Sequence, residues 1–361
     1  MTPALRIDER SRANETFFGE EAERLAFLCS AMAERFIAGG RLLAFGRSAP
    51  AQSDARHVAV EFVHPVIVGK RALPALAIVG EDVLEQAELL VEPDDIVIAF
   101  DSLEVLQMAR DRGALLVMFP HASDDRFVAQ EIHETAYHVL WELVHVFLEH
   151  RTGGQTGGGA AGFLYPFLEQ GERSETALLV DVQASVLAKS AEIGALRERT
   201  LSEGADELEA AAAALRDAFA AGGRVLALGN GGSATDAMDV VADLHAAGRP
   251  ALDLAADPAI LTAIANDVGV ENLFARQVIA YGRPDDVLMA ISTSGGSANV
   301  LAALAEARRR GLGTIALVGY DGGRILEERL ADHVIVARSE HIPRIQEAQA
   351  SVYHVLVGMV A

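Results

Sequence analysis

The chain has 361 residues, 51% hydrophobic and 23% charged, which is enough apolar material for two packed domains and too much for a disordered polymer. Thirty basic residues against 52 acidic ones leave a net charge of −22, which opposes a broad surface for nucleic acid or an anionic membrane. The single cysteine, Cys29, excludes a disulfide framework and a zinc site of paired thiolates. No apolar run reaches the roughly 18 residues that span a membrane, and Met1–Arg10 carry no secretory pattern, so a cytoplasmic protein is expected.

Taken in chain order, the first clear strand signal lies in Ala38-Gly-Gly-Arg-Leu-Leu-Ala-Phe-Gly46, and the same pattern returns as Ala221-Gly-Gly-Arg-Val-Leu-Ala-Leu-Gly229. Three more matches follow in the same order. Asp54-Ala-Arg-His57 pairs with Asp236-Ala-Met-Asp239, Pro93-Asp-Asp-Ile96 with Pro284-Asp-Asp-Val287, and Tyr137-His-Val-Leu140 with Tyr353-His-Val-Leu356. Ordered self-similarity of this kind marks two copies of one domain. Between them, Arg151-Thr-Gly-Gly-Gln-Thr-Gly-Gly-Gly159 is too rich in glycine for a helix or strand and reads as a linker. The expected division is a domain over 1–150, a linker over 151–175 and a second domain over 176–361.

In the second copy, strands are predicted at Arg224–Leu228, Ala251–Leu254, Val287–Ile291, Gly313–Val318 and His333–Val336. Their runs are apolar on both faces, as in parallel strands covered by helices on each side. Helices fall between them, among them Ser297–Arg310 with arginines in its last turn and Gly311 as its stop. Alternating β and α units imply a doubly wound parallel sheet in each copy, with ligands at the carboxyl ends of the strands.

Two loops of the second copy suit an anion. Leu228-Gly-Asn-Gly-Gly-Ser-Ala234 sets Asn230 and Ser233 between a strand and a helix. Ile291-Ser-Thr-Ser-Gly-Gly-Ser-Ala-Asn299 crowds the hydroxyls of Ser292, Thr293, Ser294 and Ser297 around two glycines at a helix start. A helix cap needs one such hydroxyl, whereas a phosphate takes several donors together with the positive helix end. Phosphate binding by backbone and hydroxyls also agrees with an acidic chain.

These motifs, with Arg344-Ile-Gln-Glu347 near the end, resemble the sugar isomerase (SIS) domain, and within it the phosphoheptose isomerases. The resemblance covers about residues 176–361, and Asn266-Asp267 and Asp321-Gly-Gly323 also fit it. It implies two tandem SIS domains of α/β class and an aldose–ketose isomerase acting on a phosphorylated sugar. The alternative it leaves open is a non-catalytic phosphosugar-binding or regulatory protein. Asn230, Ser233, Asp267, the hydroxyls of Ser292, Thr293, Ser294 and Ser297, and Gln346 would hold the substrate. In that family a histidine and a glutamate four apart on one helix act with a late glutamine and histidine, binding zinc and exchanging protons, and no organic cofactor is implied. The late pair is present as Gln346 and His354. The early pair is Asp239 and Asp243, and Pro343 replaces an acidic residue before Arg344. The resemblance thus assigns acid–base roles to Asp243 and His354 and zinc ligation to Asp239, Asp243, Gln346 and His354.

The first copy carries the opposite pattern. His57 and Glu61 keep the four-residue spacing that puts both on one helix face, and Gln130 and His138 keep the late spacing. By the same resemblance Glu61 and His138 are catalytic candidates, and His57, Glu61, Gln130 and His138 are zinc-ligand candidates. The phosphate loops are eroded to Gly46-Arg-Ser-Ala-Pro50 and Phe100-Asp-Ser-Leu103, where Asp101 would repel a phosphate. Anchor in one copy and chemistry in the other suggest a divided site. A homodimer of four SIS domains is the expected assembly.

Overall fold

A computed structural model describes residues 6–65, 70–152 and 174–361. Packing divides the chain into one compact unit over Arg10–Gly194 and another over Ala195–Ala361 joined by the residues before Arg10. The glycine-rich linker lies outside the described residues from 153 to 173.

The first unit opens with α1 (Ile7–Ala38) and continues β1 (Leu42–Gly46), α2 (Ala49–Val63), β2 (Ala75–Val79), α3 (Val83–Leu90), β3 (Ile96–Ala99), α4 (Leu103–Asp111), β4 (Leu115–Val117) and α5 (Arg126–Thr152). Its four strands are all parallel in the order β2-β1-β3-β4. Alternation along β1 and β3 builds both faces. Leu42, Ala44, Ile96 and Ile98 pack with α1, α2 and α5, while Leu43, Phe45 and Val97 pack with Val83 and Ala87 of α3 and Val105 and Ala109 of α4. The first half of α6 (Glu175–Glu203) belongs here too, because Leu178, Val182 and Val186 join the core of Trp141 and Leu140. The first unit therefore extends past the boundary read from composition, since a helix crossing between two cores leaves no compositional break.

The second unit runs α7 (Ala205–Ala220), β5 (Val225–Leu228), α8 (Gly232–Ala246), β6 (Ala251–Asp253), α9 (Pro258–Asp267), a short 3-10 turn, α10 (Leu273–Tyr281), β7 (Val287–Ser292), α11 (Ala298–Arg310), β8 (Gly313–Gly319), α12 (Gly323–Glu327), β9 (His333–Ala337) and α13 (Ile342–Val360). All five expected strands are present, within one or two residues of their expected ends, in the parallel order β6-β5-β7-β8-β9. Gly311 ends α11 in the left-handed conformation at φ 80°. In both sheets the order reverses between the first and third strands, and in such sheets the crevice at that reversal is the natural ligand seat.

One tie is repeated in both units. Asp95, just before β3, accepts the amides of Arg41 at 2.9 Å and Glu92 at 3.0 Å. Asp286, just before β7, accepts the amides of Arg224 and Arg283, each at 3.0 Å. The repeated Pro-Asp-Asp motif is thus a structural clamp that sets two strand entries side by side.

Candidate active site

At the reversal of the second sheet the loops after β5 and β7 meet. Asn230 and Asn299 exchange two amide hydrogen bonds of 3.0 and 2.8 Å, which fasten the two loops to each other. Asn230 therefore spends its side chain on positioning, and Asn299, which the motif contained but the candidate set omitted, is its partner. Gly295 has φ 58°, and a Cβ there would strike the carbonyl of Gly322, so the loop after β7 is held against the Asp321-Gly-Gly323 segment by a close backbone approach only glycine permits. The Gly319 amide donates to the Thr293 carbonyl at 2.9 Å and the Ile325 amide to the Gly295 carbonyl at 3.1 Å, completing that seam.

The hydroxyls have little internal work. Ser297 is the N-cap residue of α11, yet its side chain caps no amide. Ser294 is exposed and accepts only the Gly296 amide at 3.2 Å. Ser233 and Ser292 are buried at the ends of α8 and β7, and Thr293 is half-buried. A loop with several uncommitted hydroxyls and a helix N-terminus is equipped to receive an anion. Asp267 stands apart, exposed at the end of α9 and accepting the Asn266 amide at 2.7 Å.

A cavity of about 520 Å³ opens beside Ser294, lined also by Tyr320, Asp321, Arg338, Ser339 and Glu340. Tyr320 holds φ 51°, unusual for a residue with a Cβ, and burial followed by the charge of Glu340 pushes its phenol up. Arg338 is among the residues that line this cavity beside the hydroxyl loop. Neither residue carries a motif, so their place was not readable from the sequence.

Deeper in the same unit, α8 faces α13. The Tyr353 hydroxyl donates to Asp239 at 3.2 Å, and His354 Nε2 lies 3.6 Å from Asp243, all four being buried. The amide oxygen of Gln346 is buried without a hydrogen-bond partner among the described residues. An acceptor of that kind suits a hydroxyl-bearing ligand.

In the first unit, α2 and α5 bring a second set together. His57 Nε2 lies 3.2 Å from His138 Nε2 and 3.9 Å from Glu61 Oε1. Burial, and then the neighbouring His138, push the His57 imidazole well below its usual 6.5, so it is neutral at neutral pH. Glu134, absent from the candidate set, joins them: one donor atom each of His57, Glu134 and His138 lie within 4.8 Å of one another. It stands one turn before His138 on α5. The Gln130 amide nitrogen donates to Asp54, one turn before His57 on α2, at 3.4 Å. The chemistry of the donor set, two imidazoles and a carboxylate, fits a divalent zinc-class cation. Among the described residues no other group of three His, Cys or carboxylate side chains converges this closely, the Asp239, Asp243 and His354 set included.

The eroded cradle of the first unit is not empty space. Asp101 accepts the amides of Arg47 at 2.9 Å and Ser48 at 2.6 Å, at the N-terminus of α2. Its carboxylate sits on amides of the loop after β1, at the same sheet reversal where the second unit carries its cradle.

A family model described as SIS domain matches residues 190–319. The chain is 44% identical over 174 residues to the phosphoheptose isomerase of Chlorobaculum tepidum, covering 46% of this chain and 82% of that protein. It is 40% identical over 189 residues to the phosphoheptose isomerase of Citrifermentans bemidjiense, covering 51% of this chain and 95% of that one. The chain belongs to the SIS-domain family. The C-terminal domain of glucosamine-fructose-6-phosphate aminotransferase from Francisella tularensis aligns with all of this chain and 96% of its own at TM-score 0.61 and 11% identity. That likeness extends the SIS fold to both units.

Proposed function

We propose that this SIS-domain protein is a sugar-phosphate aldose–ketose isomerase whose substrate is a heptose 7-phosphate. The observation that carries the reading is the hydroxyl loop Ser292–Ser297, uncapped at the head of α11 and seated at the sheet reversal, in a segment matched by the family model. The relatives named phosphoheptose isomerase support the choice of substrate class. The phosphate would lie on Ser294, Ser297 and the amides between them, far from the reacting carbons, and would supply binding and orientation. The cavity beside Ser294, with Arg338 at its wall, has room for the hydroxyls of the sugar.

Isomerisation moves a proton between adjacent carbons, which calls for a carboxylate or imidazole at each transfer. We assign these roles either to Glu61 and His138 of the first unit or to Asp243 and His354, which lie 3.6 Å apart. A divalent cation on the His57 and His138 set would polarise a carbonyl or hold substrate oxygens when bound. A binding-only role is favoured by one feature, the Tyr353 hydroxyl that Asp239 already accepts. Incubation with sedoheptulose 7-phosphate decides between the two. Conversion to the aldose establishes the isomerase, whereas thermal stabilisation without conversion establishes a binding protein.

A further inference from the structure

We infer that Gln349 is a specificity-determining residue of the second unit, its amide taking a sugar hydroxyl beside the one taken by Gln346; the inference rests on the sugar-phosphate reading of this site. Gln349 is 1% exposed, and both its amide nitrogen and its amide oxygen lack a hydrogen-bond partner among the described residues. A primary amide buried with both poles unpaired costs free energy, and native interiors rarely hold one unless a ligand or a water completes it. Gln346 shows the same shortage, being 3% exposed with its oxygen unpaired. The two stand three residues apart on α13, which puts their Cβ atoms about 5–6 Å apart on one face. Side chains at that spacing can reach neighbouring hydroxyls of one sugar.

Position ties this face of α13 to the site. A Cβ at Gly319 would strike both Ile345 and the carbonyl of Thr293, so the start of α13 is held against the hydroxyl loop. Tyr353, four residues beyond Gln349 on the same face, donates to Asp239 of α8. Gln346, Gln349 and Tyr353 thus form one stripe along the α8 side of α13, running from the hydroxyl loop to the Asp239 carboxylate. In the first unit His133 holds the place of Gln349 when Tyr137-His138 is aligned with Tyr353-His354. Its Nε2 donates to the Pro120 carbonyl at 3.0 Å, and its ring stacks on Phe119. There the fold itself occupies the side chain. In the second unit no such tie is made among the described residues, and the amide is left for a ligand.

Binding rather than turnover tests the contact. Gln349→Met keeps the length of the side chain and removes both poles, and Gln349→Leu serves as a second variant. The full chain is titrated calorimetrically with sedoheptulose 7-phosphate and, separately, with inorganic phosphate, and the ligand-free proteins are unfolded by heat. The free variants should unfold at or above the wild-type temperature, because the unpaired amide is gone. Sedoheptulose 7-phosphate should bind roughly tenfold more weakly, and inorganic phosphate as before. A lower unfolding temperature in both free variants shows an amide with a structural partner and overturns the inference. So does unchanged sugar-phosphate affinity, the result expected where a buried water completes the amide. An equal loss for inorganic phosphate overturns it too, because the effect then lies in the cradle and not on the sugar. A wild-type chain that binds the sugar phosphate without converting it refutes the isomerase reading alone. One that converts it, with variants of undiminished affinity, refutes this inference alone, and one that binds no sugar phosphate refutes both.

Discussion

The Ser48 amide donates to the Asp101 carboxylate at 2.6 Å, so the first unit satisfies the head of α2 with a charge of its own. In the second unit the loop after β7 carries the serines to which the proposed function assigns the ligand. Asp101→Ala should cost about 0.5–2 kcal/mol, the range for removing a side chain that caps helix amides. It should leave stabilisation by sedoheptulose 7-phosphate unchanged. Thermal unfolding with and without that ligand measures both effects.

The complementary experiment removes hydroxyls from the loop after β7. Hydrogen bonds to a charged group contribute about 1.5–3 kcal/mol each, so Ser294→Ala with Ser297→Ala should weaken sugar-phosphate binding by roughly a hundredfold or more. Ser48→Ala should leave it intact. Equal losses from both changes would contradict a cradle confined to the second unit.

Asn299→Ala should unfasten the two loops without touching the phosphate. The pair is only part-buried, so each of its two hydrogen bonds contributes about 0.5–1.5 kcal/mol. Ligand affinity should fall several-fold, most of it in KM if turnover is observed, and Asn230→Ala should behave alike. If the two losses add fully in the double variant, the pair does not act as one unit.

Turnover separates the two acid–base pairs. Positioned general bases contribute about 10²–10⁴-fold, and Glu61→Gln removes the carboxylate at nearly constant volume. We expect at least a hundredfold loss of turnover with ligand stabilisation preserved. Wild-type turnover in Glu61→Gln, with collapse in Asp243→Asn, would transfer the chemistry to Asp243 and His354.

A pH prediction follows from Asp95. Burial alone would raise its carboxyl, but the Arg41 guanidinium and the amides of Glu92 and Arg41 outweigh it and hold the group below its ordinary value. A depressed carboxyl stabilises the fold fully above its unfolded value, near 3.9, and that contribution disappears as pH falls through the folded value. Asp95→Asn should therefore destabilise at pH 7 by roughly 1.5–3 kcal/mol and have a smaller effect near pH 3. Denaturant unfolding at the two pH values checks the sign.

The strands and the serine loop were legible because they are local. Apolar runs bounded by glycine and hydroxyl residues state their own ends, and β5 and β7 fall almost where the pattern puts them. What eluded the sequence depends on direction. Asp101 reads as a negative charge that repels phosphate, and only the backbone shows it already bonded to the amides of Arg47 and Ser48. Glu134 was hidden by a familiar spacing on the same helix that pointed to Gln130. Arg338 and Tyr320 reach the cavity beside Ser294 from segments with no motif, through tertiary packing that spacing does not encode.

The matching clamps of Asp95 and Asp286 have an evolutionary consequence. Two units of one fold in a single polypeptide can be compared with each other position by position. The carboxylates that set the strand entries are the same in each copy, although the loops beside them have parted company. Positions still shared by the two copies, such as these, mark what any version of the fold demands. Positions that differ, such as Asp101 against the serine loop, are the first places to look when the chain is compared with a single-domain relative.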